Sequence, residues 1–180
     1  MLVVDETRPI GSETDGDSDP AGLMTATADY SDNFDPVDYG TDGAGSVSYS
    51  LVLSLNGIGS GLFALDAADT SAGDGDGIGQ GDEILLYQLA DGSVVGKVGA
   101  AADGTGGTLY FTITVDDNPL SPTFGSVTFT QNANVWHANT GDDDDTSTLT
   151  IDPQDGTLKI QQTVTDADGD SDSADIDLSA

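Results

Sequence analysis

Strict apolar/polar alternation in short blocks constrains this chain more than any other feature. Val47, Tyr49, Leu51, Leu53 and Leu55 alternate mostly with serine, and Leu109, Phe111, Ile113 and Val115 alternate with Thr108, Tyr110, Thr112 and Thr114. Leu158, Ile160 and Val164 share one parity, and Ile176 and Leu178 share another. A two-residue period puts every second side chain on one face, which describes half-buried strands with serine and threonine turned to water. Further strands are expected at Leu23–Asp29, Glu83–Leu89, Ser93–Val98, Gly125–Thr130 and Thr146–Ile151. No segment carries a helical period over three turns.

Turn residues punctuate these blocks. Asp91-Gly92 predicts a tight hairpin, Asp155-Gly156 a second turn after Pro153, and Asn118-Pro119 through Pro122 a longer loop. About nine or ten short strands at this spacing give an all-β chain. The expected fold is an antiparallel β-sandwich, immunoglobulin-like with Greek-key connections and enlarged. Residues 1–20, with Pro9, Gly11, Pro20 and several acids, are expected to be an N-terminal junction segment, and residues 21–180 a single domain. Trp136, the only tryptophan, is expected to plug the core, and the lone His137 to hydrogen-bond at a strand end.

The formal net charge of -30 comes from 33 acids against three Lys and Arg, and the only glutamates are Glu6, Glu13 and Glu83. Such a chain repels nucleic acid and anionic membranes, and no apolar run is long enough to span a bilayer. There is no cysteine, so disulfide and thiolate chemistry are excluded. A halophilic surface would draw on glutamate as well. Aspartate alone suits Asx turns and metal loops.

The loop Asp166-Ala167-Asp168-Gly169-Asp170-Ser171-Asp172, just before the last expected strand, gathers four carboxylates at alternate positions. Unpaired, they repel; a hard cation such as Ca²⁺ would draw them together. An EF-hand is rejected, because Gly169 comes too early and Asp177 stands where the bidentate glutamate belongs. In a seven-strand immunoglobulin order this loop would lie near Asp5 and Glu6, at a junction with a preceding domain. Asp74, Asp76, Asp82 and Glu83, among the glycines of Ala72–Gly81, form a second candidate. That stretch does not match the calcium nonapeptide of β-rolls, since Gln80 holds a required glycine position. The run Asp142–Asp145 reads first as a solvated face.

Catalytic patterns are missing. Gly57-Ile58-Gly59-Ser60-Gly61 is not a nucleophile elbow, one histidine would have to serve any serine triad, and no phosphate-binding Gly-x-x-x-x-Gly-Lys occurs. The chain is therefore not expected to be an enzyme.

Several phrases, in order, resemble a known repeat: Val4-Asp5-Glu6-Thr7, Ala26-Thr27-Ala28-Asp29-Tyr30, and Tyr39-Gly40-Thr41-Asp42-Gly43-Ala44-Gly45-Ser46-Val47-Ser48-Tyr49. They continue with Ser60-Gly61-Leu62, Gln80-Gly81-Asp82-Glu83-Ile84, Val135-Trp136-His137 and Val164-Thr165-Asp166-Ala167-Asp168-Gly169-Asp170. Together they resemble the tandem extender repeat of giant RTX adhesins exported by type I secretion from Gram-negative bacteria. The resemblance implies a calcium-stabilised spacer on the bacterial surface, with Ca²⁺ and neighbouring repeats of the same polypeptide as partners. Neither nucleic acid nor membrane insertion is expected, and the isolated domain is expected to be a monomer. The family's acidic phrases fall on Asp5, Glu6 and Asp166–Asp170. The alternative expectation is a calcium-dependent module that binds glycan or protein.

Overall fold

The computed structural model describes residues 25–71, 77–138 and 147–178. Among these the chain is all-β: nine strands in two antiparallel sheets, and one short 3-10 turn at Ser31–Phe34. The strands are β1 (Thr25–Asp29), β2 (Ala44–Leu53), β3 (Ile58–Leu65), β4 (Gln80–Gln88), β5 (Val94–Val98), β6 (Thr108–Val115), β7 (Ser126–Gln131), β8 (Leu158–Asp166) and β9 (Ser171–Asp177). The large sheet has the order β1-β7-β6-β5-β4-β3, and the small sheet β2-β8-β9. Strands β3 to β7 thus form a meander of consecutive antiparallel neighbours, with β1 added at its far edge. The chain begins its described course in the large sheet and ends it in the small one.

Most of the alternating residues do what their period requires, although Leu109, near the start of β6, is exposed. Leu51, Leu158 and Ile160 from the small sheet meet Ile84, Leu86, Val94, Phe111 and Val127 from the large sheet in one core. Two sheets sharing an apolar interior are consistent with a β-sandwich. β2 packs on both β4 and β6, which are separated by β5, so it passes across the large sheet rather than along one strand. Phe111 is fully buried and stacks on Phe129 at 4.9 Å. Gly96 makes room for it: a Cβ there would lie 2.3 Å from the Phe111 ring.

Four sequence expectations change. Residues 147–151 form no strand, although Ile151 is buried in the core. Ile58–Leu65, whose glycines hide its alternation, is strand β3. Leu55 lies beyond the end of β2 and is exposed. Trp136 is not a core plug. It sits on the outside of β3, edge-on to Phe63, over Gly77 and Gly79, with its Nε1 donating to Ile78 O at 2.9 Å. An indole N–H needs an acceptor, and the 77–79 turn provides one where the apolar interior does not. His137 Nδ1 is buried with no hydrogen-bond partner among the described residues.

Candidate metal centre

The Asp166 loop is the β8–β9 hairpin, as its position before the last strand predicts. Asp166 ends β8 with its backbone N–H bonded to Asp170 O. Its Oδ1 accepts the backbone N–H groups of Asp168, Gly169 and Asp170 at 3.3, 3.0 and 2.9 Å. One carboxylate oxygen thereby closes the turn, and Gly169 supplies the positive φ (102°) that the turn needs.

The third acid comes from elsewhere. Asp42 lies in the connection from β1 to β2, and the register that pairs Ala44 with Asp166 brings it alongside the hairpin. Oxygens of Asp42, Asp166 and Asp168 all lie within 4.8 Å of one another. Ala167 N donates to Gly43 O at 3.1 Å, which ties the two segments together. Gly45 permits the approach, since a Cβ there would stand 2.3 Å from Asp166 O at the bulge where the β2–β8 register shifts. Hydrogen bonding with the Asp168 side chain, and then with the three backbone N–H groups, holds the Asp166 carboxyl below the ordinary carboxylate range. Like charges this close repel, and a cation between them would relieve that repulsion. Ligand oxygens on one hard cation at about 2.3–2.6 Å stand at most about 5 Å apart, so this donor set can hold a metal ion.

The four-acid expectation is therefore redistributed. Asp166 and Asp168 belong to the group. Asp170 and Asp172 are not in it; both line an adjoining open cleft of about 320 Å³ with Asp38, Tyr39 and Gly40. Asp172 already stands in β9, and its Oδ1 accepts Ser173 N–H. No local spacing links Asp42 to the hairpin. Its only signal was the small-residue run Gly43-Ala44-Gly45, which predicts a close backbone approach.

Of the second candidate, only Asp82 and Glu83 fall among the described residues. Asp82 and Glu83 lie within strand β4. Glu83 Oε1 accepts Gly61 N–H at 3.2 Å, and its carboxylate covers Gly59. The Tyr110 phenol is pushed up by burial and then by the charge of Asp82. Asp5, Glu6, Asp74 and Asp76, like the run Asp142–Asp145, lie outside the described residues.

Among the described residues, most other aspartates are occupied within their own turns. Asp29, Asp91 and Asp103 each accept the backbone N–H and the hydroxyl of the Ser or Thr two residues on. Asp116 accepts Asn118 N–H and the Thr123 hydroxyl. Side-chain hydroxyls first, and backbone N–H groups second, hold these four carboxyls below their usual range. The i-to-i+2 reach fits aspartate and not the longer glutamate, which accounts for much of the compositional bias.

The chain belongs to the DUF5801 family. The family's model, described as a domain of unknown function, matches residues 1–179. No curated protein and no solved structure matches the chain. This DUF5801 domain thus takes its functional reading from its own geometry.

Proposed function

We propose that this DUF5801 domain is a calcium-stabilised structural module: an extender repeat of a large RTX-type adhesin secreted by bacteria and displayed outside the cell, and not an enzyme. The observation that carries the reading is the meeting of Asp42, Asp166 and Asp168, from two separate segments, within 4.8 Å. Hard carboxylate oxygens favour Ca²⁺, and extracellular modules bind it at about 10⁻⁴–10⁻³ M. The order of short phrases shared with extender repeats supports the same reading. Its partners are Ca²⁺ and neighbouring repeats of the same polypeptide, the isolated domain being a monomer. Nucleic acid is disfavoured by the charge of -30. Among the described residues no helix is long and apolar enough to cross a membrane.

The immunoglobulin-like, Greek-key form of the fold belongs to this proposal too. The return of β8 to lie beside β2, with the long meander between them, supports it.

The mechanism is linkage. An ion that binds the gathered carboxylates and not the unfolded chain raises stability by RT ln(1 + [Ca²⁺]/Kd), about 2.7 kcal/mol at a hundredfold excess over Kd. Thermal melts in calcium, in magnesium and in chelator test it. A midpoint that rises with calcium is expected; coincident midpoints in calcium and chelator remove the reading.

A second reading is a calcium-dependent ligand-binding module. The position of Trp136 on the outer face, edge-on to Phe63, favours it. A glycan array run with and without calcium separates the two.

A further inference from the structure

β2 is an edge strand: β8 pairs with one side of it, and no strand among the described residues pairs with the other. Part of that free side is occupied by a side chain. Gln88 of β4 accepts Leu53 N–H through Oε1 at 3.2 Å and donates through Nε2 to Leu51 O at 2.6 Å. A donor to residue i−1 and an acceptor from residue i+1 is the pattern a strand residue makes with a parallel neighbour. The Gln88 carboxamide is thus one rung of a missing strand.

The rung fixes which backbone groups are open. N–H and C=O of one residue point to the same side of a strand, and successive residues alternate. Since Leu51 O and Leu53 N–H face away from β8, so do Leu51 N–H and both backbone groups of Tyr49. The next rung needs a donor to Tyr49 O and an acceptor from Leu51 N–H. A cleft of about 200 Å³ lies at that place, lined by Tyr49, Ser50 and Leu51, by Asp91, Gly92 and Ser93, and by Thr114, Val115 and Asp117. The edge beside it is packed from behind. Tyr49 is buried, held between Phe34 and Phe124, and its Oη accepts the Gln162 side-chain N–H at 2.8 Å. Asp91 and Asp117 make the cleft acidic, which favours a basic occupant.

We propose that an extended peptide segment bearing lysine or arginine, from a partner protein, adds to the free edge of β2 at Tyr49 and Leu51 in the cleft beside the Asp91-Gly92-Ser93 turn. Main-chain hydrogen bonds would give the affinity and the two carboxylates the preference for cationic side chains.

The probe is a capped hexapeptide alternating lysine with valine, titrated into the ¹⁵N-labelled chain at physiological salt. Three controls accompany it: the same peptide with alternate amides N-methylated, its glutamate-for-lysine analogue, and the Asp117→Asn variant. The expected result is a saturable amide shift confined to Tyr49, Leu51 and the 91–93 turn. N-methylation should abolish it, the glutamate analogue should lack it, and D117N should weaken it several-fold. Shifts spread over the acidic surface, or equal binding by the N-methylated peptide, overturn the proposal by reducing it to charge attraction. Absence of shifts at millimolar peptide overturns it outright.

Discussion

The Asp91 turn and the Asp166 turn use the same residue type for different ends. At Asp91 one carboxylate is satisfied within three residues, by the N–H and hydroxyl of Ser93. At Asp166 one oxygen takes three backbone N–H groups, while the carboxylates of Asp42 and Asp168 crowd the same spot. The first turn is complete by itself. The second gathers like charges from two segments that only the tertiary fold brings together. An aspartate count cannot tell these cases apart; what distinguishes them is whether the neighbouring polar groups are donors or further acids.

The largest expected effect is the calcium response of the intact domain. A gain of about 2.7 kcal/mol at a hundredfold excess over Kd corresponds to roughly 5–10 °C in midpoint for a domain of this size. It should vanish in Asp166→Ala and persist in Asp91→Ala, measured by calorimetry with calcium and with chelator. Equal responses in the two variants would erase the contrast between the turns.

Gly45→Ala comes next. Its Cβ would press on the Asp166 carbonyl, so a loss of about 1–3 kcal/mol is expected from overpacking. Denaturant melts should record that loss even in chelator, with a weaker calcium response besides. Asp42→Asn sharpens the comparison from the other side. Calcium affinity should fall by about a decade or more as one charged ligand is neutralised, while the calcium-free melt stays near that of the parent. Calorimetric titration reads this directly, and an unchanged affinity would show that Asp42 is not a ligand.

The smallest effect concerns acid. Asp29, Asp91, Asp103, Asp116, Asp166 and Asp175 all have folded-state carboxyls held below the ordinary range by hydrogen bonds, with Lys159 adding to the Gln161 contact at Asp175. A depressed folded pKa stabilises above the unfolded value of about 3.9, and that stability is lost as pH falls through the folded values. Midpoints in chelator should therefore be flat above about pH 5 and decline below about pH 4. Calcium should move the decline to lower pH, because the ion competes with protons for the same oxygens. A decline that calcium does not move would separate Asp166 from any ion site.

Much of the fold was legible because its signals are local. Thr108–Val115, Leu158–Asp166 and the Asp91-Gly92 hairpin follow from alternation and turn chemistry alone. β3 was hidden because Gly57, Gly59 and Gly61 carry no side chain to alternate. The smallness of Gly59 and Gly61 serves Glu83 and Thr150, which pack where their Cβ atoms would stand. Residues 147–151 alternate like a strand and bury Ile151, yet form no strand. Trp136 followed the rule that large rings go inside until its N–H found Ile78 O on the outer face. The acid hairpin was legible as a loop before the last strand; its partner Asp42 was not, because it arrives through the β2–β8 register.

The described chain enters through β1 of one sheet and leaves through β9 of the other, and each is an edge strand held by a single neighbour. A tensile load applied at those two points cannot run down one hydrogen-bonded ladder. While β1 stays paired with β7, part of the load passes through the apolar seam and the Gln88 amide that stitches β4 to β2. Resistance to stretching would then depend on sliding one layer over the other, and a change at that seam should alter mechanical strength more than a change at either end.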